Sequence, residues 1–99
     1  MIGTGIRKIR IAKNISQQDL ALDTNTSSSY LSRVETGAKT PSIEFVKRVS
    51  IALDVPHAIL FWFSVKRKDV HESKREIFDL IKPAVDELIE QLFSSNPLE

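Results

Sequence analysis

The hydrophobic pattern falls into helical periods from the first residues. Ile2, Ile6 and Ile9 recur at helical spacing while Arg7, Lys8, Arg10 and Lys13 occupy other faces, which predicts a first amphipathic helix. Asn14 tolerates left-handed backbone and is the expected stop, with Ile15 and Ser16 leading into the next element. Ser16 and Asp19 make a near capping box, so a second helix of about two turns follows, ending near Asp23 with Leu20, Ala21 and Leu22 facing inward. The stretch TNTSSS over 24–29 has the composition of a linker. Yet Tyr30, Leu31 and Val34 follow it at helical spacing, so Ser27 serves as an N-cap and a third helix runs over 28–35, closed by Thr36 and Gly37.

Thr40-Pro41-Ser42 opens a fourth helix whose apolar face is Ile43, Val46, Val49 and Leu53, with Lys47 and Arg48 pointing away. Pro56 opens a fifth, through Ile59 and Leu60 to Phe61. Trp62, Phe63 and the basic run Lys66, Arg67 and Lys68 come next. A longer amphipathic segment then carries Ile77, Leu80, Ile81, Ala84, Val85, Leu88, Ile89 and Leu92, and Pro83 within it is expected to kink it or split it in two. No strand alternation occurs. The chain therefore reads as all-α: a five-helix domain over 1–63, a basic connector over 64–70, an additional C-terminal amphipathic helix over 71–93, and a frayed tail over 94–99.

Composition narrows the function more than the fold. The 99 residues, 41% of them hydrophobic, suffice for one small core. No apolar run approaches the roughly 20 residues of a membrane span, and the start has no apolar secretory region, so a cytoplasmic, membrane-free protein is expected. With no cysteine and two isolated histidines, His57 and His71, neither a metal site nor a cofactor is expected. No nucleophile with a base and no paired carboxylates in a cleft are legible, so an enzyme is not expected. Charge is asymmetric: residues 1–70 hold 11 Lys/Arg against 6 Asp/Glu, and residues 71–99 hold 3 against 7. A positive body beside an acidic end suggests that the first part meets an anionic partner.

Two short helices joined by a tight turn, the second with small polar side chains on its outer face, suit reading of the DNA major groove. A helix fits that groove, and short side chains near its N-terminus let the backbone approach the base edges. Ala21 keeps the crossing close, and Asn25 sits where the chain turns sharply. The segment SQQDLALDTNTSSSYLSRVETGAKTPS, with IRKIR before it and ALDVP leading to ILF after it, resembles the helix-turn-helix core of the Cro/cI-like phage repressors, also called XRE-like. The resemblance spans roughly residues 2–61 and implies a five-helix domain that binds double-stranded DNA, usually as a dimer on a palindromic operator.

Carried over by position, the resemblance implies that Ser28, Ser29 and Arg33 face base edges, with Ser27 and Ser32 nearby. Arg33 is the leading specificity residue, since a guanidinium bonds guanine O6 and N7 together. Gln17 matches the position that touches a phosphate, with Ser16, Lys39 and Thr40 as further phosphate contacts. Arg10 and Glu35 match a salt bridge that ties the first helix to the third. The sequence departs from the pattern at Gly5, where a long or charged residue is usual and where glycine costs the helix roughly 1 kcal/mol. Asn14 and Asn25 also replace the more common glycines.

The apolar stripe of the last helix needs a partner: its own chain at Trp62 and Phe63, a second protomer, or a separate protein. A homodimer built by Trp62, Phe63, Ile77, Ile81, Val85, Leu88 and Leu92 is the expectation, because one recognition helix reads only a short half-site. The leading reading is a transcriptional repressor. The alternative is an antitoxin-type DNA-binding protein whose C-terminal helix grips a partner protein.

Overall fold

Ile6, Ile9, Leu20, Leu31, Val49 and Leu60 lose all solvent contact, and the helices that converge on them set the positions of everything else. The computed structural model describes residues 1–95. Among these run α1 (Ile2–Ala12), α2 (Gln17–Asp23), α3 (Ser28–Thr36), α4 (Ile43–Leu53), α5 (His57–Trp62) and α6 (Arg75–Leu92), with 3-10 turns at Arg67–Asp69 and Glu72–Lys74 leading into α6. No strand occurs among the described residues, so the fold is all-α.

Local chemistry fixes the boundaries. The hydroxyls of Ser16, Ser27 and Ser42 accept hydrogen bonds from the backbone N–H groups of Asp19, Tyr30 and Phe45 at 3.0, 3.0 and 3.1 Å, starting α2, α3 and α4. Each such cap contributes about 1 kcal/mol. At the far ends, Gly37 closes α3 with φ +85° and Asp54 closes α4 with φ +55°. Asn14 and Asn25 take φ +58° and +56°, so both asparagines adopt the left-handed geometry their turns require. Thr24, within the linker-like run, is buried and donates its hydroxyl hydrogen to the Leu20 carbonyl at 2.7 Å. That bond satisfies a polar group that burial would otherwise penalise.

Gly3 and Gly5 are close-packing positions on α1. A Cβ at Gly3 would strike the backbone carbonyl of Val34 near the end of α3, and one at Gly5 would strike the ring of Phe63. Gly5 therefore offsets its helix cost by seating Phe63, which is only 3% exposed.

Several expectations are corrected by helical geometry. Leu22 is 78% exposed, because the buried sector of α2 is set by Leu20, Ala21 and Thr24, and a residue advances about 100° around the axis per step. Ile43 is 64% exposed: it is the first residue of α4, at the margin of a sector formed instead by Phe45, Val46, Val49, Ser50 and Leu53. Pro83 does not split α6, which continues from Arg75 to Leu92. The proline lies on the exposed side of the helix. Ser94 and Ser95 are not frayed. The Ser95 N–H donates to the Ala12 carbonyl at 3.0 Å, the Ser94 hydroxyl reaches the same carbonyl at 3.2 Å, and the Asn14 side-chain amide donates to the Ser95 hydroxyl at 2.9 Å. The rest of the expected tail, 96–99, lies outside the described residues.

Candidate nucleic-acid interface

The chain turns sharply between α2 and α3 at Asn25, and the Thr26 N–H closes the turn on the Ala21 carbonyl at 2.9 Å. Leu31, Val34 and Glu35 turn α3 inward. Its opposite side presents Ser29 and Arg33 to solvent, with Ser28 and Ser32 half-buried beside them. The Arg33 side chain makes no ion pair among the described residues, so its donors are available to an incoming acceptor. Ser27 differs from its neighbours, because its oxygen already accepts the capping N–H of Tyr30; the hydroxyl hydrogen remains to donate.

Beneath this face lies a polar lock. Arg10 Nε donates to Glu35 Oε2 at 2.8 Å and Nη2 donates to Oε1 at 2.9 Å, a two-pronged pairing that joins α1 to α3. Arg10 Nη1 also donates to the Ile15 carbonyl at 3.0 Å, bringing in the α1–α2 connection. The Glu35 side chain is 1% exposed, so its charge needs such a fork of donors. Gln17 joins the same group: its side-chain amide donates to Glu35 Oε1 at 3.2 Å. Among the described residues, its second amide hydrogen and its carbonyl oxygen have no other partner. Nothing in the helical periodicity relates residues 17 and 35, and the link emerges only once α2 is laid across α3.

Lys39 and Thr40, in the segment after α3, are exposed. The Lys39 N–H donates to the Arg33 carbonyl at 3.1 Å, which ties this segment to the end of α3. Ser16, exposed at the start of α2, spends its hydroxyl oxygen on the cap. On the far side of α3, Tyr30 stacks edge-on against Phe45 with centroids 5.2 Å apart, and the Arg48 guanidinium lies 5.5 Å above the Phe45 ring. This stack fixes α3 against α4.

The residues proposed for pairing two protomers divide into two groups. Phe63 is enclosed by its own chain, and Trp62 is half-buried with its indole N–H donating to Asp86 of α6 at 2.7 Å. Lys82 also bonds Asp86, at 2.8 and 3.0 Å, while its ammonium sits 5.0 Å from the Trp62 ring and 5.2 Å from the Phe63 ring. Val85 is half-buried, and Ile89 and Phe93 pack against the core. By contrast, Ile77, Ile81, Leu88 and Leu92 stay exposed, joined by Leu80 at 79%.

Comparison with known proteins assigns the family. The chain is 45% identical over 62 residues to the HTH-type transcriptional regulator SlrR of Bacillus subtilis and 42% identical over 62 residues to SinR of the same organism. These matches take in 62% and 61% of this chain but 41% and 56% of the relatives, so the chain aligns with about half of their length. The control protein C.BamHI of Bacillus amyloliquefaciens is 34% identical over 56 residues, which is 56% of this chain and 69% of that protein. A crystal structure of SinR, described as the master regulator for biofilm formation in complex with DNA, superposes with a TM-score of 0.58 at 40% identity, over 62% of this chain and 98% of that one. A helix-turn-helix family model matches residues 6–60, from the buried Ile6 of α1 to the buried Leu60 of α5. The chain belongs to the XRE-type helix-turn-helix family.

Proposed function

We propose that this chain is a sequence-specific, double-stranded DNA-binding transcriptional regulator that acts as a repressor by occupying its operator as a homodimer. The observation that carries the reading is the outer face of α3, where Ser28, Ser29, Ser32 and an Arg33 without an ion pair among the described residues stand on a helix locked from behind by Arg10 and Glu35. Arg33 reads a guanine through two hydrogen bonds, worth about 1–3 kcal/mol of discrimination, and the serines contribute weaker contacts, partly through water. Ser27 adds a single hydroxyl donor at the start of the helix. Gln17, held against Glu35, offers its remaining amide hydrogen to a phosphate, and Ser16, Lys39 and Thr40 supply further phosphate contacts.

The exposed stripe of α6 supports the dimer. Ile77, Leu80, Ile81 and Leu88 form an apolar band left exposed among the described residues, and pairing two such bands would present two copies of α3 to two half-sites. The same band supports a second reading, in which α6 grips a different protein as antitoxins do. Selection of bound sequences from a random duplex pool tests the DNA reading. A two-fold motif with half-sites about one helical turn apart is expected. Enrichment of no motif would overturn it.

A further inference from the structure

Of the basic run Lys66, Arg67 and Lys68, the fold treats each cation differently. Arg67 is turned back onto α6, where its Nε donates to both carboxylate oxygens of Asp79 at 3.1 and 3.0 Å. Arg75 is likewise spent on the carbonyls of Arg67 and Val70. Lys66 is fixed differently: its backbone N–H donates to the Asp69 carboxylate at 2.8 Å, and the residue lines a groove of about 200 Å³. Lys39, Thr40 and Ser64 line that groove as well, at the polar margin of a floor that is otherwise apolar, with Met1, Ile2, Val34 and Pro41. Lys39 and Lys66 therefore approach one space from segments 27 positions apart, and neither makes an ion pair among the described residues.

Both lysines are exposed, so an anion on this surface has two cations within reach of it. This groove adjoins the segment tied to the end of α3 by the Lys39–Arg33 backbone bond. We infer that Lys66 is a DNA-backbone contact: with Lys39 it forms a phosphodiester-binding groove that extends the interface beyond the helix-turn-helix, onto the connector that follows α5. The inference rests on the DNA-binding reading above. It assigns Lys66 affinity without sequence preference, because a lysine ammonium on a phosphate carries no base information. Lys68 is exposed and does not line the groove, which makes it the internal control.

The test is the salt dependence of binding to a duplex recovered by selection, measured with the full chain for wild type, Lys66→Gln, Lys66→Arg, Lys39→Gln and Lys68→Gln. Removing one phosphate-neutralising cation lowers the slope of log affinity against log salt by about 0.9 per subunit. Lys66→Gln is expected to flatten the slope by that amount. Its penalty relative to wild type then shrinks about threefold per subunit, and so about tenfold for a dimer, between about 50 and about 200 mM salt. Lys66→Arg should restore the slope, Lys39→Gln should flatten it as Lys66→Gln does, and Lys68→Gln should leave it unchanged. Selected motifs should be identical for wild type and Lys66→Gln. A wild-type slope in Lys66→Gln beside a flattened one in Lys39→Gln overturns the inference while sparing the DNA reading. Equal flattening by Lys68→Gln also overturns it, since an unspecific charge effect would then suffice. Failure of the wild-type chain to bind any duplex removes both.

Discussion

The five-helix body and α6 use their apolar residues in opposite ways. In the body, α1 to α5 each turn one main apolar sector toward a common centre, and the residues there, Ile6, Leu20, Leu31, Val49 and Leu60 among them, are sealed. α6 carries two sectors. One, with Lys82, Ile89 and then Phe93, docks on Trp62, Phe63 and the core, while Ile77, Leu80, Ile81 and Leu88 on another side face water. Exposed acids, Glu76, Asp79 and Glu87, fill a third. The body is thus a closed scaffold for the face proposed to read DNA. The last helix is closed on one side and open on another, so folding back and pairing with a second protein are compatible uses of one segment.

The largest blow to this contrast should come from the polar lock within the body. Arg10→Ala leaves the buried Glu35 carboxylate without its two-pronged partner, and removing one side of a buried pair costs about 3–5 kcal/mol. Denaturant unfolding should record that destabilisation with an unchanged slope. Next come the close-packed glycines. Gly3→Ala drives a methyl into the backbone of α3 and should cost about 2–3 kcal/mol, whereas Gly5→Ala meets a ring that can shift and should cost about 1 kcal/mol after its gain in helix propensity. Equal effects from the two would show that Phe63 is not seated as described.

A smaller effect, confined to the other region, is expected for Asp86→Ala. It removes the acceptor shared by Trp62 and Lys82, about 1–2 kcal/mol of charge-assisted bonding. Amide exchange should then quicken in α6 and stay slow in α1 to α5; uniform acceleration would mean that the two regions unfold as one. Smallest in stability is Leu88→Ser, within about 0.5 kcal/mol for the isolated chain because the residue is already exposed. Its effect belongs to assembly: sedimentation should show the wild type as a dimer and the variant shifted to monomer. A variant that sediments as the wild type does would move the interface off this stripe.

Much of the body is legible in the sequence because local signals and the global fold agree there. Ser16, Ser27 and Ser42 are caps whose positions the sequence announces, and Gly37 closes α3 with the φ that glycine tolerates. The errors arise where periodicity admits two registers. Leu22 and Ile43 are apolar residues one step outside a buried sector, and only the packing partner decides which side of such a boundary is covered. Gly5 reads as a defect in the sequence because its compensation, Phe63, lies 58 positions away. For α6 the sequence displays a broad apolar pattern without saying that it is two stripes with different fates. Of the proposed reading face, the sequence shows the residue types and their order. The Gln17–Glu35 bond and the convergence of Lys39 with Lys66 depend on elements meeting in space, which no local pattern encodes.

The central claim is that α3 reads bases while the rest of the interface holds the backbone. Parallel selections from one random duplex pool, with wild type and with Arg33→Ala, address it most directly. The account predicts a two-fold motif from the wild type and, from the variant, the same motif with one base pair in each half-site relaxed by about 1–3 kcal/mol. An unchanged motif from Arg33→Ala, or no motif from the wild type, would contradict it.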